Sequence, residues 1–393
     1  MELLIAFLVV MVFIFIGEWG SNFSKAYIPS VFITAALFTI GFWTFLPKDI
    51  VNQASFGKEF VAIAVPLLLV HLGTMMDLKQ LAAQWRAVVV ALAGVVGTMV
   101  LTLTIGTLLF DWHTVVAAVP PLTGGVISVA LMSDGLKAEG LTTLVAIPVA
   151  MYITHSIIGY PLTSVVLKRE GKRLLKQYDN QKLDFKKTEL SQEADETLTK
   201  KPTFLKSEKF QTPAFLLAKV ALVAVLAVLL EKATNKAING NVIALVLGVI
   251  FHQIGFLEKQ ILNKAKVFNW LMYGLLAFVF SQLSMTTPKV LSGIMILILV
   301  LIALGILGMY LASSLLSKPL KMSKDMAFAT ALTALFGFPA DYILTNEVVN
   351  NLTKDEKAHN VLIDYMMPKM LVGGFATVSV ASIIIASLFL KLL

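Results

Sequence analysis

The sequence predicts an all-α polytopic membrane protein, an inverted repeat of two halves, each of five transmembrane helices plus one re-entrant hairpin. Three observations carry this expectation. Of the 393 residues, 58% are hydrophobic and only 14% charged, with a mean hydropathy of +0.83, far from the composition of a soluble domain. A hydrophilic stretch, 168–209, holds twelve Lys/Arg and eight Asp/Glu in 42 residues and divides the chain nearly in half. Two short segments, Leu122–Asp134 (LTGGVISVALMSD) and Leu335–Glu347 (LFGFPADYILTNE), echo each other at an offset of 213 residues. That offset lays Leu122 on Leu335, Gly124 on Gly337, Leu131 on Leu344 and Asp134 on Glu347.

The first half, residues 1–167, reads as spans near 3–16, 29–46, 60–76 and 88–110, a hairpin at 115–136, and a span at 141–167. The start of the chain lacks a basic region and a small-residue cleavage site, so it is expected to be a retained span and not a signal peptide. Pro120-Pro121 removes backbone donors, and Gly124-Gly125 allows a tight turn, so a helix is expected to break there. Residues 168–212 form a charged linker, with a short charged helix near 168–178 and flexible chain beyond. The second half, 213–393, repeats the pattern: spans near 214–230, 242–256, 268–285 and 290–316, a hairpin at 327–349, and a final span at 361–390. Five spans are an odd number, so the second half is expected to lie inverted. Such transporters bind their cargo where the repeats meet, near the midplane.

The basic linker sets the expected orientation: cytoplasmic, with both termini outside a bacterial-type cytoplasmic membrane. Hairpin one then enters from outside and hairpin two from the cytoplasm. The net charge of +8 reads as this positive-inside bias, not as a nucleic-acid surface. The absence of cysteine excludes disulfides and thiolate metal sites, and no transition-metal site is expected. No metalloprotease, phosphate-loop or nucleotide motif occurs. Ser156 beside His155 cannot form a facing nucleophile–base pair on a helix. An enzyme is not expected.

Ionisable groups inside membrane spans are costly and therefore functional candidates. Asp341 follows the Gly337-Phe338-Pro339 break, where a carboxylate beside unwound carbonyls suits sodium; the competing role is a cap on the second half-helix. Asp134 and Glu347 end the two hairpins, either as ion ligands or as groups at the water interface. Lys369 either balances Asp341, holds a solute carboxylate, or snorkels to the surface. Thr123, Gly124, Gly125 and Ser128 form the first tip, where amides and hydroxyls suit a carboxylate. Tyr342, Thr345 and Asn346 follow in the second. His155 and His71 are expected to be satisfied interhelical hydrogen-bonders, and Gly373-Gly374 a helix-packing contact.

At these hairpins the chain resembles the sodium/glutamate symporter family and its relatives, the 2-hydroxycarboxylate transporters. The layout matches along essentially the whole chain. At the residue level the match is confined to Gly124-Gly125-Val126-Ile127 and Gly337-Phe338-Pro339-Ala340, each short of the family's Gly-Gly-x-Gly pattern. The resemblance implies sodium-coupled symport of a carboxylate-bearing solute such as glutamate, another amino acid or an organic anion. It also implies homodimers and an elevator-like movement of the hairpin bundle. The solute is expected to bind between the hairpin tips, with Thr123–Ser128 and Gly337–Asp341 as the lining. A sodium or other cation/proton exchanger using Asp341, and a membrane protein without transport activity, stand as alternatives.

Overall fold

The computed structural model describes residues 2–75, 84–179, 211–234, 240–285 and 287–393. Residue 76, the end of the expected third span, and most of the linker lie outside them. Among the described residues every regular element is helical. Long apolar runs have no other way to satisfy their backbone in lipid. The first half contains α1 (Glu2–Phe23), α2 (Ser30–Thr44), α3 (Lys58–Gly73), α4 (Trp85–Leu109), α5 (Trp112–Thr123), α6 (Val126–Ala138) and α7 (Ala146–Asp179). The second contains α8 (Pro213–Ala233), α9 (Gly240–Gln253), α10 (Phe268–Ser281), α11 (Pro288–Ser317), α12 (Lys324–Leu332), α13 (Ala340–Leu352), α14 (Glu356–Phe375) and α15 (Ser382–Leu390). The chain is a helical multi-pass membrane protein: among the described residues seven helices are long and apolar enough to cross a bilayer.

The outcome differs from expectation in two places. Ten spans were expected, but α2, α3 and α9 have only 15, 16 and 14 residues. At about 1.5 Å per residue they fall short of a hydrocarbon core of about 30 Å. Their bounds lie within three residues of the expected spans, which were themselves short. The charged segment after Leu167 is not a separate short helix either. α7 runs unbroken through it to Asp179. Lys, Arg and Glu are good helix formers, and Glu170 pairs with Arg173 one turn on, at 2.6 and 2.9 Å.

The chain packs as two compact units that do not follow the sequence halves. One comprises Met1–Leu8, Val51–Ala83 and Gln177–Phe278; the other comprises Val9–Ile50, Gln84–Lys176 and Val279–Leu393. In the first unit α3 crosses α9 with Gly73 against Gly248: a Cβ on Gly248 would stand 2.3 Å from the Val70 carbonyl. Phe7, Phe56, Phe60 and Trp270 form an aromatic cluster. His71 Nδ1 accepts the Leu262 amide at 3.2 Å. Lys219 Nζ binds both Glu258 oxygens at 2.6 and 2.5 Å, and both residues are buried.

The second unit contains both hairpins. α4 crosses α11 so closely that a Cβ on Gly97 would stand 2.3 Å from the Gly308 carbonyl, and one on Gly308 2.2 Å from the Gly97 carbonyl. The Thr98 hydroxyl donates to the Gly305 carbonyl at 3.0 Å. The first arm of each hairpin lies on this pair. Leu122 of α5 meets Gly305 of α11, and Ala331 of α12 meets Gly94 of α4. The second arms reach further: Gly135 of α6 faces Leu390 of α15, and Leu352 of α13 faces Gly171 of α7.

Burial pushes the Glu258 carboxyl up, but the hydrogen bonds and charge of Lys219 outweigh it, so Glu258 is held below the ordinary carboxylate range. Its contribution to stability is therefore present above the unfolded value of about 4.3 and lost as pH falls through the folded value. Lys219→Met should destabilise the purified protein by about 3–5 kcal/mol, because it strands a buried carboxylate. The double variant Lys219→Met/Glu258→Gln should recover much of that in thermal unfolding. Equal loss in both would show that the pair is not the source.

Candidate functional site

The second hairpin is built from its base upward. Ser323 caps α12 by accepting the Met326 amide at 3.0 Å. α12 tightens into a 3-10 turn, Thr333–Leu335. The helix then breaks: Gly337 takes φ +65°, which favours glycine, and the Phe338–Pro339 bond is cis. α13 restarts at Ala340, which puts Asp341 in its first turn.

Asp341 is fully buried. Its Oδ1 accepts the Tyr342 amide at 2.7 Å, so one oxygen does cap the half-helix. Its Oδ2 has no hydrogen-bond partner. Among the described residues no cation pairs with either oxygen. Oδ2 faces the last span, 2.5 Å from where a Cβ on Gly374 would stand. The adjacent Gly373 looks onto the Thr330 carbonyl and the Thr333 hydroxyl, each 3.1 Å from its own hypothetical Cβ. The Thr377 hydroxyl donates to the Gly373 carbonyl at 3.0 Å. Gly374 thus leaves room for the carboxylate, while the adjacent Gly373 packs against Thr330 and Thr333.

Just beyond, the last span widens into a π-helical segment, Ala376–Ala381, a feature frequent at functional sites. Val378 in that segment meets both tips: Cβ atoms on Gly125 and Gly337 would lie 2.5 and 2.9 Å from its side chain. Gly124 faces Ser382. The two hairpin breaks therefore approach the same turn of the last span. In hairpin one the helix ends two residues after Pro121, at Thr123, and restarts at Val126. Thr123 and Ser128 are buried, and their hydroxyls donate to nearby carbonyls of their own hairpin, Thr123 to Val119 and Pro120, Ser128 to Gly125 at 2.7 Å.

The remaining candidates fall elsewhere. Asp134 is not an ion ligand in this arrangement: its side chain is 79% exposed and lies 3.6 Å from Lys137. Glu347 is not at the break either. Its Oε2 accepts the Ser21 hydroxyl and the Ser30 amide, each at 3.0 Å, so it anchors the start of α2, where a free amide needs an acceptor. Lys369 does not balance Asp341. Its ammonium donates to the Tyr365 carbonyl at 2.6 Å, lies over the Tyr365 ring, and interacts electrostatically with Glu170. Asn346 is half-buried and donates to the Tyr342 carbonyl of its own helix at 3.1 Å. Thr345 likewise donates to the Asp341 carbonyl at 2.7 Å. Phe338 packs near Phe375, and Pro339 is buried at the head of α13.

Gly374, Thr333, Thr377 and Val378 were missed as site residues. Gly373-Gly374 with a threonine one turn on was the visible signal. It reads as packing until the partner proves to be a carboxylate.

Gly374→Ala should place a methyl against Asp341 Oδ2 and cost about 1–3 kcal/mol in thermal unfolding. In an Asp341→Ala background that cost should fall by at least half. An unchanged cost would mean that Gly374 serves the backbone and not the carboxylate.

Neither a family model nor a curated protein matches this sequence.

Proposed function

We propose that the chain is a secondary active transporter, moving a small carboxylate-bearing solute such as glutamate or another amino acid or organic anion together with sodium. The observation that carries this reading is the unpartnered Oδ2 of fully buried Asp341. A buried ionised carboxylate without a counter-charge is strongly disfavoured. Its charged form calls for a cation that arrives and leaves with the working cycle. Carbonyl and hydroxyl oxygens of Thr330 and Thr333 stand against the adjacent Gly373, and such oxygens are the ligands a hard cation prefers. The location, a broken helix where a second broken helix approaches, is the transporter pattern.

The packing supports the inverted repeat. α4 and α11 occupy matching places in the two halves and meet through Gly97 and Gly308, at nearly the offset that relates the hairpins. Each hairpin's first arm meets the other half's helix of this pair, and the second arm of hairpin one packs on the other half's last span. Two-fold-related halves would exchange contacts in this way. On this reading the hairpin-bearing unit is the body that moves in an elevator-like cycle, within a homodimer in a bacterial cytoplasmic membrane. The linker is cytoplasmic and both termini are outside. The solute sits between Thr123–Ser128 and Gly337–Asp341.

The test is a thermal-shift screen of purified protein, sodium against potassium, with a panel of carboxylates and amino acids. A ligand that binds the native state raises apparent stability by mass action. A solute shift that requires sodium is the expected result. A shift with sodium or pH alone favours a cation/proton exchanger at Asp341, because a proton could also occupy Oδ2. Asp341→Asn should remain folded, with an unfolding midpoint at or above that of the parent, and should lose coupled uptake in proteoliposomes. Normal sodium-driven uptake by this variant would remove Asp341 from the mechanism.

A further inference from the structure

α7 carries a second group that its surroundings leave unsatisfied. Tyr152, His155, Ser156, Gly159, Tyr160 and Thr163 recur at helical spacing and form one stripe, and all six are buried. The stripe lies against the stem of the second hairpin's break. The Ser156 hydroxyl donates to the Leu335 carbonyl at 3.0 Å. A Cβ on Gly159 would stand 3.1 Å from Leu335 and 3.2 Å from Phe336. The Tyr160 ring lies 5.5 Å from that of Phe336.

The register along α7 is set at two levels. At the base of the hairpin the Ser323 hydroxyl donates to Glu170 at 2.7 Å. At its tip Ser156 meets Leu335. Moving along α7 from Glu170 past Ser156 therefore leads beyond the hairpin tip. His155 is one turn from Gly159 on the same line and next to Ser156, which places it at the level of the break. The Tyr152 ring packs against its imidazole at 5.6 Å.

His155 differs from the other buried histidines. His71 accepts a backbone amide and His252 Nδ1 lies 3.0 Å from the Leu257 carbonyl. Neither ring nitrogen of His155 has a partner, and the residue is fully buried. The expectation of a satisfied interhelical hydrogen-bonder is therefore overturned. Two unserved polar atoms in a membrane interior are costly, and a structural histidine would ordinarily have been tied to a carbonyl.

We propose that His155 is a solute-contacting residue and selects an uncharged group that both donates and accepts a hydrogen bond, a hydroxyl or a primary amide. This inference rests on the transporter reading. A neutral imidazole presents one N–H and one lone pair. The two point to opposite sides of the ring, so a solute group meets one of them: a hydroxyl or amide can pair with either, whereas a carboxylate pairs only with the N–H and an ammonium only with the lone pair. The carboxylate of the solute is accordingly held elsewhere, and His155 reads the rest of the molecule.

The experiment uses matched probes in sodium: malate against succinate, and glutamine against glutamate, titrated by thermal shift. The proteins are the parent chain, His155→Leu and His155→Gln. The parent should bind the hydroxyl- or amide-bearing member of at least one pair about tenfold more tightly. His155→Leu should lose that preference while keeping any sodium-dependent shift. His155→Gln, which retains a donor and an acceptor, should recover part of the preference. An unchanged preference in His155→Leu overturns the inference and leaves the transporter reading standing. Equal binding of both members of each pair by the parent chain also overturns it. No solute-dependent shift in any protein removes both.

Discussion

Where a helix breaks inside a bilayer, the chain must supply what the missing turn would have supplied, and most of this molecule is arranged around that constraint. Backbone that leaves the helix at membrane depth is tolerated only inside protein or along a wet cavity. Here the last span provides the surroundings. Gly373 and Gly374 let the second hairpin approach until Asp341 Oδ2 lies against bare backbone. One turn further, Val378 receives both breaks. The α4–α11 crossing supports this from behind, because its glycines bring the helices that carry each hairpin's first arm into close contact.

The buried polar groups sort by whether they are matched. Glu170 is held by Arg173 and Ser323, Glu258 by Lys219, and Glu347 by Ser21 and the start of α2. Each joins two segments and is satisfied where it stands, which is the behaviour of a tether. Asp341 Oδ2 and both His155 nitrogens have no partner, and the same holds for His71 Nε2 and the hydroxyls of Thr34, Ser133, Thr163 and Ser314. Incomplete groups in a low-dielectric interior are unstable in isolation. Of these, Asp341 and His155 flank the Leu335–Pro339 break, and Glu170 and Glu347 tether the second hairpin around it.

This sorting also explains why α7 is longer than an ordinary span. Its charged continuation places Glu170 where the base of α12 can be pinned, while its apolar part places the polar stripe beside the tip. One helix therefore sets both ends of the second hairpin.

The sequence by itself determined the helical membrane class and the two hairpin breaks, which Pro-Pro, Gly-Gly and Gly-Phe-Pro mark within two or three residues of their observed positions. It also singled out Asp341. These are local signals: hydropathy, chain-breaking residues and a charge in an apolar run act over a few residues and need no partner. Tertiary structure decided the rest. Asp134 and Glu347 hold matching places in the sequence, yet one is exposed and the other is an anchor, because Ser21 and Ser30 lie more than three hundred residues from Glu347. Gly373-Gly374 changed from packing to a carboxylate seat, and His155 from satisfied to unsatisfied, for the same reason. Whether a buried polar atom is matched depends on what the fold brings opposite it, and no local pattern carries that information.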